Sequence, residues 1–449
     1  MKKNDQIITT ILDLTYEGNG IAKVDGYPLF VENALPGEEV KIQILKVGKD
    51  YGFAKTIEII TPSQDRQEVS DSRYIQTGIA PLLFLKYEKQ LEFKKQQIIN
   101  LLAKQHMDDI NVKDTVGMDN PFAYRNKAQI PVRNINGELT TGFYRRHSHE
   151  LVPMEDFLIQ EDGIDELIIQ VRDILRRYEV SAYNENNNSG QIRNIMIRKG
   201  HYTNQFMVVL VTTREKISPL NAIADEIQDL PNVVSVVQNI NPNKTNVLLG
   251  KKNKTLRGFP YIEDEILGNK YRISPNSFYQ VNSLQTQKLY QIAIDKAELT
   301  GKETVVDAYS GIGTIGLSMA KRAKHVDGIE IVEAAVKDAN RNATVNHIGN
   351  ATFQVGKVET VLKQWASDGK KVDVLMVDPP RKGLDKSLMD TIKQIQPKKM
   401  VYISCNPATL VRDLASLVTD YEIGSITPVD MFPMTNHIES VTRLTLKHN

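Results

Sequence analysis

The sequence predicts a multidomain α/β protein: a small all-β barrel, then a mixed α+β region, then a parallel sheet covered by helices on both faces. Three observations carry this reading. Residues 5–61 alternate short β-branched runs with Gly, Asn and Asp turns. Residues 86–105 switch to helical periodicity, after which strand-like runs at 128–132 and 206–212 alternate with helical stretches. From about Gln285 onward helices and apolar strands alternate regularly, the signature of a buried parallel sheet. At roughly 100–200 residues per domain, 449 residues make two to four domains.

Within the barrel, strands are expected at 7–14, 21–24, 29–31, 40–47 and 52–60, with turns at Gly18-Asn19-Gly20, Asp25-Gly26 and Pro36-Gly37. Residues 1–61 hold 7 basic and 9 acidic side chains. A binding surface on this module is therefore local. Next, 70–265 is read as the central domain, with a polar surface loop at 184–190. It carries two basic groups: Arg125, Lys127, Arg133, Arg145 and Arg146, and then Lys244, Lys251, Lys252, Lys254 and Arg257. Either could be a solvated face or a phosphate-binding stripe. In the third domain, 270–449, the central strands are expected at Val305-Val306-Asp307, 326–330, 372–377 and 400–404. The chain shows no internal repeat and no low-complexity tract.

Composition narrows the function classes. Lys plus Arg total 56 against 55 acids, with 25% charged and 41% hydrophobic residues, which describes a globular chain rather than a disordered one. No run approaches the length of a spanning helix, and Met1-Lys2-Lys3-Asn4-Asp5 is not followed by an apolar signal region, so a cytoplasmic protein is expected. A single cysteine, Cys405, excludes an intramolecular disulfide framework, a Cys-ligated zinc ribbon and a four-thiolate iron–sulfur cluster.

After the strand ending at Asp307 comes Ala308-Tyr309-Ser310-Gly311-Ile312-Gly313-Thr314-Ile315-Gly316, with a helix expected over 317–322. Glycines let the backbone approach a ligand as the helix begins. A bare tight turn would need no ligand, and the G-x-G-x-x-G spacing alone would suggest a dinucleotide. Against a pyrophosphate, Asp307 puts an acid just before the loop, and Glu330 at the end of the next strand can accept ribose hydroxyls. A cationic ligand bearing an adenosine ribose fits better, and S-adenosylmethionine is one.

Val377-Asp378-Pro379-Pro380-Arg381-Lys382-Gly383 follows another apolar strand, at the carboxyl edge where open α/β sheets bind ligands. Cys405 follows the strand at 400–404 and leads through Asn406-Pro407 into a helix. A strand end beside a helix N-terminus favours a reactive thiolate, although a lone cysteine is more often a small buried hydrophobe. Chemistry links the thiol to a methyl donor. Carbon 5 of uracil becomes nucleophilic once a thiolate adds at carbon 6, and the methylated adduct then needs a base to remove the carbon-5 proton. Glu439 and His437, in Met434-Thr435-Asn436-His437-Ile438-Glu439-Ser440-Val441, are the candidates, while a surface location would equally account for Glu439.

Taken in order, Gln280-Val281-Asn282, Asp307 through Gly313, Asp378-Pro379-Pro380-Arg381, Ser404-Cys405-Asn406-Pro407 and His437-Ile438-Glu439-Ser440-Val441 resemble the RNA uracil-5 methyltransferase family. The resemblance implies a Rossmann-like class I methyltransferase domain. It also implies that Gln280, Asp307, Tyr309, Gly311, Gly313, Glu330 and Asp378 bind S-adenosylmethionine, that Cys405 is the nucleophile and that Glu439 is the carbon-5 base. Gly18-Asn19-Gly20-Ile21-Ala22 and Leu35-Pro36-Gly37-Glu38 resemble the OB-like, RNA-binding TRAM domain that precedes many such enzymes.

Many relatives hold an iron–sulfur cluster on four cysteines, and here Asp71, Thr77, Ala80 and Phe157 stand at those places, in a register supported by Tyr87 and Gln90. A cluster-free enzyme with no metal is expected. From the resemblance alone the substrate is expected to be 23S ribosomal RNA, with tRNA the alternative within the class. Two readings compete from other classes: a non-catalytic RNA-binding or chaperone protein, which has no need of Cys405, and an NAD-dependent oxidoreductase. No membrane association and no obligate protein partner are inferred.

Overall fold

The computed structural model describes residues 1–447. The N-terminal barrel consists of β1 (Gln6–Thr10), β2 (Asp13–Leu14), β3 (Gly20–Val24), β4 (Tyr27–Glu32), β5 (Glu39–Val47) and β6 (Gly52–Thr61), in the sheet order β1-β5-β6-β4-β3-β2. The strand expected over 7–14 is broken, because the chain changes partners there. Through Thr10 it pairs with β5, whereas Ile11 donates to the Glu38 carbonyl and Leu12 to that of Ile21. Leu29, Val31, Val40, Ile42, Ile44 and Ala54 alternate into the barrel interior.

Glu38 is fully buried and ties the barrel to the segment after β6. Its carboxylate receives Arg66 at 2.5 and 2.9 Å and the amides of Leu35 and Ser63. Burial works against its charge, but Arg66 and the two amides prevail and hold the carboxyl below its usual range. Gly18, at φ +83°, abuts the central region so closely that a Cβ would lie 2.4 Å from the Leu82 side chain.

A short turn, α1 (Arg73–Gln76), and a long helix, α2 (Tyr87–Ala103), lead into β7 (Lys127–Ile135), β8 (Glu138–Tyr144), β9 (Leu151–Pro153), α3 (Ile164–Arg177), β10 (Ile192–Lys199), β11 (Phe206–Thr212), α4 (Leu220–Gln228), β12 (Val233–Ile240) and β13 (Lys252–Gly258). These strands form one sheet in the order β13-β12-β11-β10-β7-β8-β9, and its apolar face packs on α3 and α4. The hairpin β14 (Ile262–Ile266) and β15 (Asn269–Ile273) packs instead into the C-terminal core, as does the end of α2 through Ile98 and Leu102.

The remaining elements are α5 (Ser283–Ala297), β16 (Thr304–Ala308), α6 (Thr314–Ala320), β17 (His325–Glu330), α7 (Glu333–Val345), β18 (Ala351–Val355), α8 (Val358–Ser367), β19 (Val374–Val377), α9 (Lys386–Ile395), β20 (Lys399–Ser404), α10 (Pro407–Leu417), β21 (Tyr421–Ile423), β22 (Thr427–Val429) and β23 (Glu439–Leu446). The sheet order is β18-β17-β16-β19-β20-β23-β21, so the four expected strands are central. Side chains alternate between its faces. Val305, Met376 and Val401 join the core with α5, α6 and α7, while Val306, Leu375 and Tyr402 join that with α8, α9 and α10. The sheet is not wholly parallel: β23 runs antiparallel to β20 and carries β21 and β22. Among the described residues no helix is long and apolar enough to cross a membrane.

Candidate active site

The carboxyl ends of β16, β17, β19 and β20 converge on a cavity of about 1130 Å³ shared with the central region and the barrel. Gln280, Tyr309, Gly311, Glu330, Asp378, Cys405 and Glu439 all line it. Asp307 and Gly313 do not. Asp307 is 1% exposed, and its Oδ2 accepts the Gly316 amide at 2.8 Å, so it braces the loop from behind. Burial, reinforced by Asp378 and Glu330, pushes its carboxyl up to about 7. Gly313 caps α6 at φ +84°, which starts that helix at Thr314 rather than Leu317.

The loop after β16 presents an open edge. A Cβ on Gly311 would meet nothing within 4 Å, and Ser310 Oγ and Asp307 Oδ1 are buried without partners. Glu330 receives the amides of Gly311 at 3.1 Å and Val332 at 2.8 Å, which aims its carboxylate along the loop. Beside it Ile331 is 61% exposed. Gln280 reaches the cavity from a segment stitched to the residue just before β7, since Asn126 donates to its carbonyl at 3.0 Å.

Cys405 sits one residue beyond β20. The ladder pairs Ile403 with Val441 and Ser404 with Ser440, so the next step in the antiparallel register sets Cys405 beside Glu439. Asn406 fixes the loop by donating to the Arg381 carbonyl at 2.9 Å and accepting from Ala408 at 3.1 Å. This ties the Cys405 turn to the Asp378-Pro379-Pro380-Arg381 turn.

The helix start does not make the resting thiol acidic. Burial first, then the carboxyls of Glu439 and Asp378, push Cys405 up to about 11, and Arg381 only partly offsets them. Burial also lifts Asp378 to about 7, and burial with Asp378 raises Glu439 well above the carboxylate range. His437 is held low by burial and by the nearby cations Arg381 and Lys94. Because Cys405 is the chain's single cysteine, alkylation reports on it alone. The rate of iodoacetamide labelling of the free protein is expected to climb with pH toward an inflection near 11. In Glu439→Gln, which removes a negative neighbour, the inflection should move down.

Sequence reasoning passed over the support of the turn between β22 and β23. Asp430 and Lys94 form an ion pair at 2.5 Å with both side chains 0% exposed. Tyr87 donates to the other oxygen of Asp430 at 3.0 Å, and Lys94 also donates to the Phe432 carbonyl. Gln285, Asn282 and Tyr124 donate to the carbonyls of Asp430, Met431 and Pro433, and Gln90 accepts the Met434 amide. The backbone entering the His437–Glu439 segment is thus held by side chains of α2 and of the α5 N-terminus. Lys94→Met would leave the Asp430 carboxyl buried without its counter-ion, for an expected loss of about 3–5 kcal/mol in unfolding free energy, measurable by denaturant titration.

The basic groups divide. Arg125, Lys127, Arg146 and His147 line the cavity. Arg145 pairs with Glu150 at 3.1 Å, and Arg133 lies over the rings of Tyr144 and Tyr183. In the second group Lys252 pairs with Glu215 and Arg257 with Asp225. Crowding by the protein and by Arg198 and Arg125 brings Lys127 down to about 7. Only the three-dimensional sorting separates the cavity-lining cations from the paired ones.

Comparison with known proteins gives this arrangement a family. The model of the tRNA (uracil-5-)-methyltransferase family matches residues 86–447, and that of the TRAM domain matches residues 8–57. An uncharacterized RNA methyltransferase of Lactiplantibacillus plantarum is 52% identical over 445 residues, covering 98% of this chain and 97% of that one. Another, from Enterococcus faecalis, is 51% identical over 448 residues, covering 99% and 98%. The crystal structure of Pyrococcus abyssi tRNA (uracil-54, C5)-methyltransferase with S-adenosyl-L-homocysteine superposes with a TM-score of 0.79 at 27% identity, over 98% of this chain and 99% of that one. With a TRAM barrel ahead of a class I methyltransferase fold, the chain belongs to the S-adenosylmethionine-dependent RNA uracil-5 methyltransferase family.

Proposed function

We propose that the protein methylates carbon 5 of a uridine in RNA through a covalent adduct, with Cys405 adding at carbon 6 and Glu439 removing the carbon-5 proton. The observation that carries this reading is the β20–β23 register, which brings thiol and carboxyl together in the lining of a cavity of about 1130 Å³, room enough for a nucleotide. Gln280, Tyr309, Gly311, Glu330 and Asp378 would hold S-adenosylmethionine, with Asp307 and Gly313 shaping the loop. The open edge at Gly311, the unpartnered Ser310 hydroxyl and the exposed apolar Ile331 suit a ligand with polar and heterocyclic parts. When bound, S-adenosylmethionine supplies an electrophilic methyl group.

The chain's own residues do the rest. Loss of the Cys405 proton to an ionised Asp378, which leaves Glu439 free as the later base, gives the thiolate, which Arg381 favours electrostatically. Its addition breaks the carbon 5–carbon 6 double bond and turns the ring into an enolate nucleophilic at carbon 5. After methylation Glu439 takes the carbon-5 proton, the double bond re-forms, and Cys405 leaves. Arg125, Lys127 and Arg146 would meet phosphates of the incoming strand.

The proposed substrate is 23S ribosomal RNA in the cytoplasm. Similarity to an enzyme named for tRNA supports the tRNA alternative. Mapping 5-methyluridine in ribosomal and transfer RNA from a deletion strain and its parent tests both, and loss confined to tRNA would overturn the ribosomal assignment.

We also propose that packing stands in for the iron–sulfur cluster of relatives. Asp71 pairs with Arg73, Thr77 donates to the Arg73 carbonyl at 2.7 Å, and Ala80 and Phe157 are fully buried in the central core, with the Phe143 and Phe157 ring centroids 5.2 Å apart. These side chains do not fit a cluster. Anaerobically purified protein is expected to contain no stoichiometric iron by elemental analysis.

A further inference from the structure

We propose that Tyr87, Gln90 and Lys94, one stripe of α2, are positioning residues that hold Glu439 in reach of the adduct on Cys405. The inference rests on Glu439 being the carbon-5 base. β22 and β23 form a hairpin whose strands meet at the Val429–Glu439 pair, so residues 430–438 are its loop. Glu439 therefore stands at the mouth of that hairpin. The last pair that β23 makes with β20 is Ser440 with Ser404, which leaves Glu439 one step beyond the ladder that secures the rest of the strand. Its place depends on how the loop is held.

The loop is gripped along its backbone. The carbonyls of Asp430, Met431, Phe432, Pro433 and Met434 accept in turn from Gln285, Asn282, Lys94, Tyr124 and the Leu82 amide. Met434 sits at φ +64°, a left-handed conformation that a residue with a side chain keeps only where its surroundings impose it. Gln90 imposes it. Its Oε1 accepts the Met434 amide at 3.0 Å, while its Nε2 donates to the Leu82 and Leu85 carbonyls at 3.1 and 2.8 Å. Tyr87 and Lys94, on the same face of the helix, each donate to one oxygen of the Asp430 carboxylate.

Such a stripe is a poor way merely to pack a helix. Gln90 and Lys94 are 0% exposed, and apolar side chains of similar volume would hold α2 against the loop at least as firmly. What hydrogen bonds add is direction, since a satisfied polar network fixes one arrangement of the backbone it binds. Glu439 needs that constraint. Its carboxyl is buried beside that of Asp378, and two such groups repel once both ionise. A base on a loose loop would turn away from Asp378 and so from the adduct.

Gln90→Met keeps the length of the side chain and removes its amide. In the full-length enzyme, with RNA and S-adenosylmethionine, turnover should fall about tenfold to a hundredfold while affinity for either substrate does not fall. The protein should accumulate on denaturing gels as a covalent complex with RNA, because addition and methylation do not use Glu439 whereas elimination does. In the free protein, iodoacetamide labelling of Cys405 at a pH below its inflection should run about threefold to tenfold faster, since a carboxyl that holds the thiol protonated has moved off. Tyr87→Phe, which loses a single oxygen, should shift both readouts the same way by less, and it decides alone if Gln90→Met does not fold. Ile98→Ala is the control: it lies on the same helix but in the methyltransferase core, so it should lower the unfolding midpoint and leave both readouts at the parent values. Absence of the complex in both stripe variants, in an assay where Glu439→Gln forms it, would overturn the proposal. So would labelling at the parent rate in both, or the same shifts in Ile98→Ala. If labelling quickens in Gln90→Met while Glu439→Gln itself forms no complex, the stripe still positions the carboxyl and the reading of Glu439 as the base falls.

Discussion

Cys405→Ala is expected to abolish RNA methylation, lowering kcat by about four to six orders of magnitude, because carbon 5 stays unactivated without addition at carbon 6. The substitution removes one sulfur atom from the lining of the cavity and leaves Asn406, which carries the turn's hydrogen bonds to Arg381 and Ala408, in place. Binding of S-adenosylmethionine by calorimetry and of RNA by anisotropy should therefore match the parent. Cys405→Ser retains a hydroxyl but gives no comparable nucleophile, so it should be as inactive as alanine. Appreciable turnover by either variant would remove the covalent step from the mechanism.

How much of this site could be read from the chain depends on which contacts are local. Strand, glycine loop and helix follow one another at 304–320, and the Asp378 and Cys405 turns each follow an apolar strand. Parallel strands bring their carboxyl ends to one edge whatever the details, so Tyr309, Gly311, Glu330, Asp378 and Cys405 meet. Glu439 is different. Its partnership with Cys405 depends on an antiparallel register at the end of the sheet, and shifting that register by one residue would turn Glu439 to the opposite face. Beforehand the chemistry left Glu439 and His437 as alternatives, and only the family resemblance chose between them. Asp307 was legible as an acid at the loop, but not that its oxygen serves the Gly316 amide. The clamp of Lys94 on Asp430 joins residues 336 apart in sequence and carries no local pattern.

Replacing Glu439 by Gln tests the order of the steps. The amide keeps the shape of the carboxyl and its position opposite Cys405 but cannot accept the carbon-5 proton. Thiol addition and methylation would still be open to this variant, since Cys405, Arg381 and the side chains proposed to hold the cofactor are intact and Asp378 remains to receive the thiol proton. Elimination would not. One methyl group per enzyme should therefore be transferred, after which the protein should accumulate as a complex with RNA that survives denaturing electrophoresis. Removing the negative neighbour should also lower the Cys405 pKa, so the complex should form at lower pH than parent turnover requires. Cys405→Ala/Glu439→Gln should form none, which separates a covalent link from tight binding. If Glu439→Gln turns over at the parent rate, the base lies elsewhere in the cavity. His437, held neutral by burial and the cations around it, then becomes the next group to replace.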